Sequence, residues 1–306
     1  MSSSSMQPQQ QLRGTQTMVG HMSWVIARPS LTALEVAWRW LIGAPLLLIC
    51  WTQAQKIIAA VPPESTGLSA INWQNPWTAS IKLAEAWVTY QPHVAAVLQW
   101  LAPVAALAWI VVSGIGRSLV LKRIEPRLPL RLLSMILLQA AWLAVLILTG
   151  WAWWASLSWA GQTHINVTGE PDLVGYTVWA VFLSLGFFTL WAFISWIVTI
   201  APMLMLLENC SPVTALIRSL NLGKGLTGKL VEINLVMGIV KLALLVVAMV
   251  FSAVLIPFSE EVGASALHLE WIVVTIFYFI AGDYFQVVRL KGFIEFWRVY
   301  RGPKLH

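Results

Sequence analysis

Long apolar stretches alternate with short polar segments along nearly the whole chain. Six of the stretches are long enough for the roughly 20 helical residues that cross a hydrocarbon core. Their unbroken apolar character also exceeds the about ten alternating residues of a β-barrel strand. The pattern therefore predicts six membrane-spanning α-helices, at residues 36–60, 94–117, 130–158, 173–207, 230–257 and 269–290.

The segments outside the predicted spans are short and leave no room for a separate soluble domain. Residues 1–30 are polar, rich in Ser and Gln, and lack the apolar stretch of a cleavable signal peptide. We expect this region to be a disordered tail whose end lies near the membrane. Residues 31–292 form the predicted transmembrane domain, and residues 293–306 a basic, aromatic interfacial segment. The predicted fold class is all-α: a polytopic membrane protein with six transmembrane helices and short interfacial helices.

Composition supports lipid as the main solvent of the chain. Of the 306 residues, 58% are hydrophobic and 10% are charged, and the mean hydropathy is +0.75. A soluble domain carries roughly 25% charged residues. The 19 tryptophans suit the head-group region, which accommodates both an apolar ring and an N–H donor.

The basic residues are distributed unevenly between the predicted links. Fifteen Lys and Arg residues lie in the two terminal segments, the link between spans two and three, and the link between spans four and five. The other three links hold Lys82 as their only base. Because basic links stay in the cytoplasm, we predict a multi-pass protein of the cytoplasmic (inner) membrane with both termini cytoplasmic. This bias accounts for the net charge of +6, so we expect no nucleic-acid partner.

Three segments are typical of helices that lie on a membrane surface. The first starts at Asn75-Pro76 and the third covers 293–300. The second starts at Ser211-Pro212 and has Arg218 on its polar face. Its apolar residues follow at helical spacing: Val213, Leu216, Ile217 and Leu220. These segments predict membrane lipids, and other membrane proteins, as partners.

Two charged residues fall inside predicted spans, where each costs roughly 2.5–3.5 kcal/mol. They are Lys241 in span five and Asp283 in span six, two spans joined by a short link. We predict that they form an ion pair between neighbouring helices. The alternatives are that Lys241 reaches the surface alone, or that Asp283 is protonated in a solute path. Glu35 and Arg39 have the spacing of an interfacial helical pair.

Motifs of catalysis and of cofactor binding are not found in the sequence. No Gly-rich loop follows a strand, and neither HExxH nor GxSxG occurs. His93, His164 and His268 lie in the outer links or next to them, near acidic residues, but no spacing enforces a metal site. We therefore predict no catalytic, cofactor-binding or metal-binding residues, and no enzyme activity.

The end of span four and the link after it resemble a known pattern. The chain contains Ala201-Pro202, then Glu208, then Ala215-Leu216-Ile217-Arg218-Ser219 in the interfacial helix, and then Gly223-Lys224-Gly225. This region is similar to bacterial six-helix membrane proteins of the YciC-like kind and to the membrane domain of some glycerophosphodiester phosphodiesterases. The resemblance implies a six-helix layout without an assigned activity. The soluble phosphodiesterase domain is absent from this sequence, so its catalysis is not implied.

Two classes of function remain after these exclusions. The first is a membrane protein without a catalytic site, which acts as a scaffold or interacts with lipids or partner proteins. The alternative is a small-solute transporter or channel. It would use helices broken at Pro45, Pro103 and Pro202 together with the buried polar residues. An enzyme acting on lipid is a third and weaker hypothesis.

Reporter fusions test the predicted topology. An enzyme active only outside the cytoplasm should be active at three positions: Thr66, Gly169 and Gly263. It should be inactive at three others: Glu125, Gly225 and Pro303. The basic links hold the second set inside. Activity of a cytoplasmic reporter at Gly169 would contradict the six-helix topology.

Overall fold

The computed structural model describes residues 14–68, 71, 75–165, 170, 172–222, 224–253 and 264–301. Within these ranges the chain forms eight α-helices, a 3₁₀ turn at Pro63–Thr66, and no strand. Six of the helices, α2, α3, α4, α5, α7 and α8, are long and apolar enough to cross a membrane. The all-α polytopic class is confirmed. The helices are α1 Gly14–Ile26, α2 Pro29–Ala60, α3 Pro76–Ile124, α4 Leu132–His164, α5 Leu173–Leu207, α6 Pro212–Leu220, α7 Lys224–Ala253 and α8 Ala264–Arg301.

The six long helices form an open row rather than a closed ring. They pack in the spatial order α7, α8, α2, α3, α4, α5, each against the next. The short helix α1 packs mainly against α8, and α6 packs against α5. In the described part of the chain, α5 and α7 share no extensive packing although α6 connects them. A lateral opening therefore lies between these two end helices.

The buried core is concentrated at one end of the bundle. We call this the basal end; it contains α1, α6 and the last turns of α8. Fully buried side chains come from six helices: Val25, Leu31, Met135, Ile200, Leu204, Leu230, Phe293 and Ile294. Polar contacts add to this packing, since His21 contacts Glu295 at 2.6 Å and Trp297 donates to Glu208 at 3.2 Å. Arg298 also pairs with Glu125.

The opposite, distal half of the bundle exposes large apolar side chains. They include Trp51, Leu107, Trp151, Phe188 and Phe277, each more than half exposed. In water such a surface would be costly, whereas lipid tails are as apolar as the side chains. The helices can therefore diverge in this half without losing hydrophobic stabilisation.

Helix α3 is longer than the predicted span. It runs without interruption from Pro76 to Ile124, so the segment expected as a separate surface helix at 75–88 continues directly into the span. Pro92 and Pro103 both lie inside α3. A proline removes one backbone donor but does not end a helix when the neighbouring turns keep their hydrogen bonds.

Helix α8 also extends beyond its predicted boundary, to Arg301. Phe293, Phe296 and Trp297 were expected to anchor the chain in lipid, but they are buried in the basal core. The reason is that α1 provides an apolar surface against this part of α8, in the region predicted to be disordered. Helix α1 starts at Gly14 and buries Met18 and Val25; residues 1–13 lie outside the described ranges.

Helix α6 has the predicted amphipathic character. Ser211 caps it by accepting from the Thr214 N–H at 3.2 Å. Ala215 and Ser219 are buried against the bundle, and Leu216 is packed against the core. Three of the predicted apolar residues are exposed and available to lipid: Val213, Ile217 and Leu220. Arg218 forms an ion pair with Glu208 at 2.6 Å, which raises the pKa of Arg218.

Close packing of α3 on α4 can be tested at Gly114. A Cβ atom at this position would lie 2.7 Å from Cγ1 and 2.9 Å from Cα of Ile136. Because the backbone of Ile136 cannot move aside easily, Gly114→Ala should destabilise the protein by about 1–3 kcal/mol. Unfolding in detergent measures this change. The matched control is Gly150→Ala, since a Cβ at Gly150 meets nothing within 4 Å. Equal stability of the two variants would contradict this packing.

Candidate functional site

A network of charged side chains joins α2 to α8 inside the bundle. Glu35 on α2 is only 1% exposed and accepts hydrogen bonds from Trp38 at 2.9 Å and from two nitrogens of Arg39 at 2.7 and 3.0 Å. A third nitrogen of Arg39 contacts the carboxylate of Asp283 on α8 at 2.8 Å. One guanidinium therefore binds two carboxylates, a geometry that its planar fork of donors allows. The predicted pair of Glu35 and Arg39 is confirmed; its carboxylate is buried and its guanidinium is 32% exposed.

Asp283 has a different partner from the one expected. Its carboxylate pairs with Arg39, and in the described part of the chain no carboxylate lies within 4.0 Å of the Lys241 ammonium. Helix α7 does pack against α8, as expected for neighbouring antiparallel spans. However, α2 packs on α8 as well, and Arg39 reaches Asp283 while still bonded to Glu35. A lysine ammonium could not match this forked arrangement.

Three further bases interact electrostatically with this network: Arg117 on α3, Lys241 on α7 and Arg289 on α8. No ion pair within 4.0 Å is found for Lys241, Arg289 or Arg117 in the described ranges. Lys241 and Arg289 therefore place positive charge on α7 and on the adjoining α8.

A cleft opens next to these bases, in the gap between α5 and α7. Its volume is about 500 Å³, within the range of small-molecule sites. Along α7, one stripe at helical spacing lines it: Val231, Asn234, Gly238 and Lys241. Residues Ala192–Ile200 of α5 form the opposite wall, and Arg289 and Phe293 of α8 form the floor. We call this space the α5–α7 cleft.

The polar lining of the α5–α7 cleft donates more hydrogen bonds than it accepts. It contains Lys241, Arg289 and Asn234, but no acidic residue. Two buried donors of the lining, Nε of Arg289 and Nε1 of Trp196, have no acceptor in the described chain. Buried donors are normally paired. Rotation of either side chain toward the cleft would allow it to bind an acceptor there.

The remaining predicted residues do not converge on this cleft. His164 contacts Asp172 at 3.2 Å near the distal end. Hydrogen bonds from the Gly175 backbone and His164 lower the pKa of Asp172, which caps α5. In the described ranges no group of three or more His, Cys, Asp or Glu side chains could hold a metal ion. The interfacial residues of α6 also lie outside the lining of the cleft.

Sequence reasoning identified Lys241 and Asp283 but missed Arg117, Arg289 and the bridging role of Arg39. Arg117 and Arg289 were assigned to basic links because each lies at the end of a predicted span. Their positions relative to Asn234 and Lys241 depend on which helices are neighbours. A signal was available in the stripe of Asn234, Gly238 and Lys241, which combines polar and small residues on one helix face.

The assignment of the Asp283 partner can be tested with two double-mutant cycles. Arg39→Gln with Asp283→Asn should show a coupling of about 1–3 kcal/mol, because the two side chains are in contact. Lys241→Gln with Asp283→Asn should show a smaller coupling. The free energy of unfolding in mixed detergent micelles measures both. A larger coupling in the Lys241 cycle would restore the ion pair predicted from the sequence.

Comparison of the whole chain with known proteins does not place it in a family. No protein-family model, curated protein or solved structure matches it. The resemblance of residues 201–225 to YciC-like membrane proteins therefore stays a prediction.

Proposed function

We propose that this integral membrane protein has no catalytic role and binds anionic lipid in the α5–α7 cleft. By holding lipid at its side, it would organise neighbouring lipids or partner proteins. The observation that carries the proposal is the lining of the cleft, which combines apolar walls with two bases and no acid. An amphiphile with a negative head group matches both features.

Lys241 gives the strongest physical reason for a lipid ligand. It lies on α7 one turn beyond the buried Met237, on an exposed part of the helix. An ammonium exposed to hydrocarbon is costly. It must reach the membrane surface along its own stem or bind an anion. A lipid head group in the cleft supplies the anion, and its acyl chains can lie along apolar residues such as Leu235.

The same proposal also orients the bundle in the membrane. We place the basal end in the cytoplasm, because the basic links are at this end. Anionic lipids are abundant in the cytoplasmic leaflet and attract basic segments next to the membrane. Asn234 and Arg289 lie on the basal side of Lys241, so a head group bound by all three would belong to that leaflet.

Transport of a small solute is the second candidate function. The observation in its favour is the network of Glu35, Arg39 and Asp283 on two helices able to cross a membrane, since intramembrane carboxylates often serve as proton or ion sites. In that case Asp283→Asn should abolish solute flux in proteoliposomes while lipid retention is unchanged. If the protein instead binds lipid, the amount of lipid retained should depend on the residues that line the cleft.

Filling the cleft tests the proposed function without changing any charge. A Cβ at Gly238 meets nothing within 4 Å, so Gly238→Leu should fold while its side chain occupies the cleft. Anionic lipid that co-purifies with the protein in mild detergent should fall by about tenfold, a loss of roughly 1.4 kcal/mol in binding. Mass spectrometry of the intact complex measures the retained lipid.

The matched control is Gly186→Leu on α5. Gly186 is exposed, has equally open surroundings and does not line the cleft. It should retain as much anionic lipid as the unchanged protein. Equal retention in Gly238→Leu and Gly186→Leu would remove the support for the cleft as a lipid site.

A further inference from the structure

The charged groups around the α5–α7 cleft do not balance. Two bases, Lys241 and Arg289, line the cleft and form a basic cluster, and no acidic residue lines it. The carboxylates of Glu35 and Asp283 are bonded to Arg39 instead. The two bases give the cluster a net charge of +2 when both are ionised.

This imbalance matters because both bases lie on helices that are long and apolar enough to cross a membrane. In a medium of low dielectric constant, an unbalanced charge keeps much of its desolvation cost. Glu232 lies on α7 about 2.5 turns nearer the basal end than Lys241 and does not line the cleft. Glu295 is engaged with His21 and Lys291 at the basal end. An anion bound in the cleft would supply the compensating charge.

We propose that the α5–α7 cleft binds a lipid whose head group is a phosphomonoester carrying two negative charges. This inference rests on the proposed lipid-binding function and specifies the head group. A phosphomonoester is largely dianionic above its second pKa of about 6, which matches the net charge of the cluster. A carboxylate or a phosphodiester carries one negative charge and would leave a residual charge of +1.

Hydrogen bonding favours the same chemistry. The lining offers an ammonium, a guanidinium, a carboxamide and an indole N–H, on Lys241, Arg289, Asn234 and Trp196. A terminal phosphate has three strong acceptor oxygens and can bind several of these donors together. Donors from three different helices converge on the cleft, so the phosphate would also join α5 to α7 across the opening.

Titration calorimetry with short-chain lipids tests the head-group charge. The detergent-solubilised protein is titrated near pH 8 with dihexanoyl phosphatidic acid and with dihexanoyl phosphatidylmethanol. The two lipids differ in one methyl group, which converts the dianion to a monoanion. We expect phosphatidic acid to bind at least about tenfold more tightly, and sodium phosphate alone to bind more weakly than phosphatidic acid because it lacks acyl chains.

Two variants connect this preference to the cleft. Lys241→Gln should reduce the ratio of the two affinities to within about threefold, because the cluster then carries a charge of +1. Lys241 is exposed and has no ion pair in the described chain, so this variant should fold. The matched control, Lys122→Gln, removes an exposed lysine outside the cleft and should keep the full ratio.

The outcomes separate this inference from the proposed function. Equal affinity for the two lipids would overturn the dianionic head group and leave the lipid-binding function standing. Failure of both lipids to bind would overturn the two proposals together. Binding of sodium phosphate as tight as that of phosphatidic acid would identify a soluble anion as the ligand and overturn a lipid ligand. An unchanged ratio in Lys241→Gln would place the preference outside the cleft.

Discussion

The fork of hydrogen bonds from Arg39 is the interaction on which the centre of this structure depends. It holds Glu35 on its own helix and Asp283 on α8, and so joins α2, in the middle of the row, to the pair formed by α7 and α8. Without Arg39, the carboxylates of Glu35 and Asp283 would lack a cation in contact within the described part of the chain. Breaking such a buried pair typically costs about 3–5 kcal/mol, a large part of the stability of a folded domain.

The packing of the bundle determines where the cleft can form. Buried side chains are concentrated at the basal end, where α1, α6 and the end of α8 tie the long helices together. Toward the distal end many large apolar side chains are exposed. The cleft lies between the packed basal end and the exposed distal half, beside Met237, which is buried, and Lys241, which is exposed. A site there is closed by packed side chains toward the basal end and is open at its side. A ligand that enters from the bilayer needs this arrangement.

The sequence predicts the helices of this protein better than their contacts. Apolar length alone predicts six spans, and the boundaries of α5 agree with the prediction of 173–207. Helix α6 follows from its start at Ser211-Pro212 and its apolar spacing. These features are local, since they depend on residues within a few turns of one another.

The charge network could not be derived in this way. The partner of Asp283 is more than 240 residues away in the chain, on a helix whose neighbours no local pattern reveals. Sequence reasoning paired Asp283 with Lys241 because consecutive spans are usually adjacent. That rule gave the correct neighbour, α7, but α8 also packs against α2. The choice between the two partners depends on the forked geometry of arginine.

The stability of the bundle and the proposed ligand are connected through the net charge of the cluster. A ligand that binds the folded protein and not the unfolded chain stabilises the fold in proportion to the logarithm of its concentration relative to its dissociation constant. Here the ligand would supply two negative charges to a cluster that has an excess of two positive charges, and would span the gap between α5 and α7. Lipid would then complete the electrostatics of the bundle and close the opening between α5 and α7. The excess of bases that makes the isolated chain less stable is, on this view, what makes it selective for its lipid.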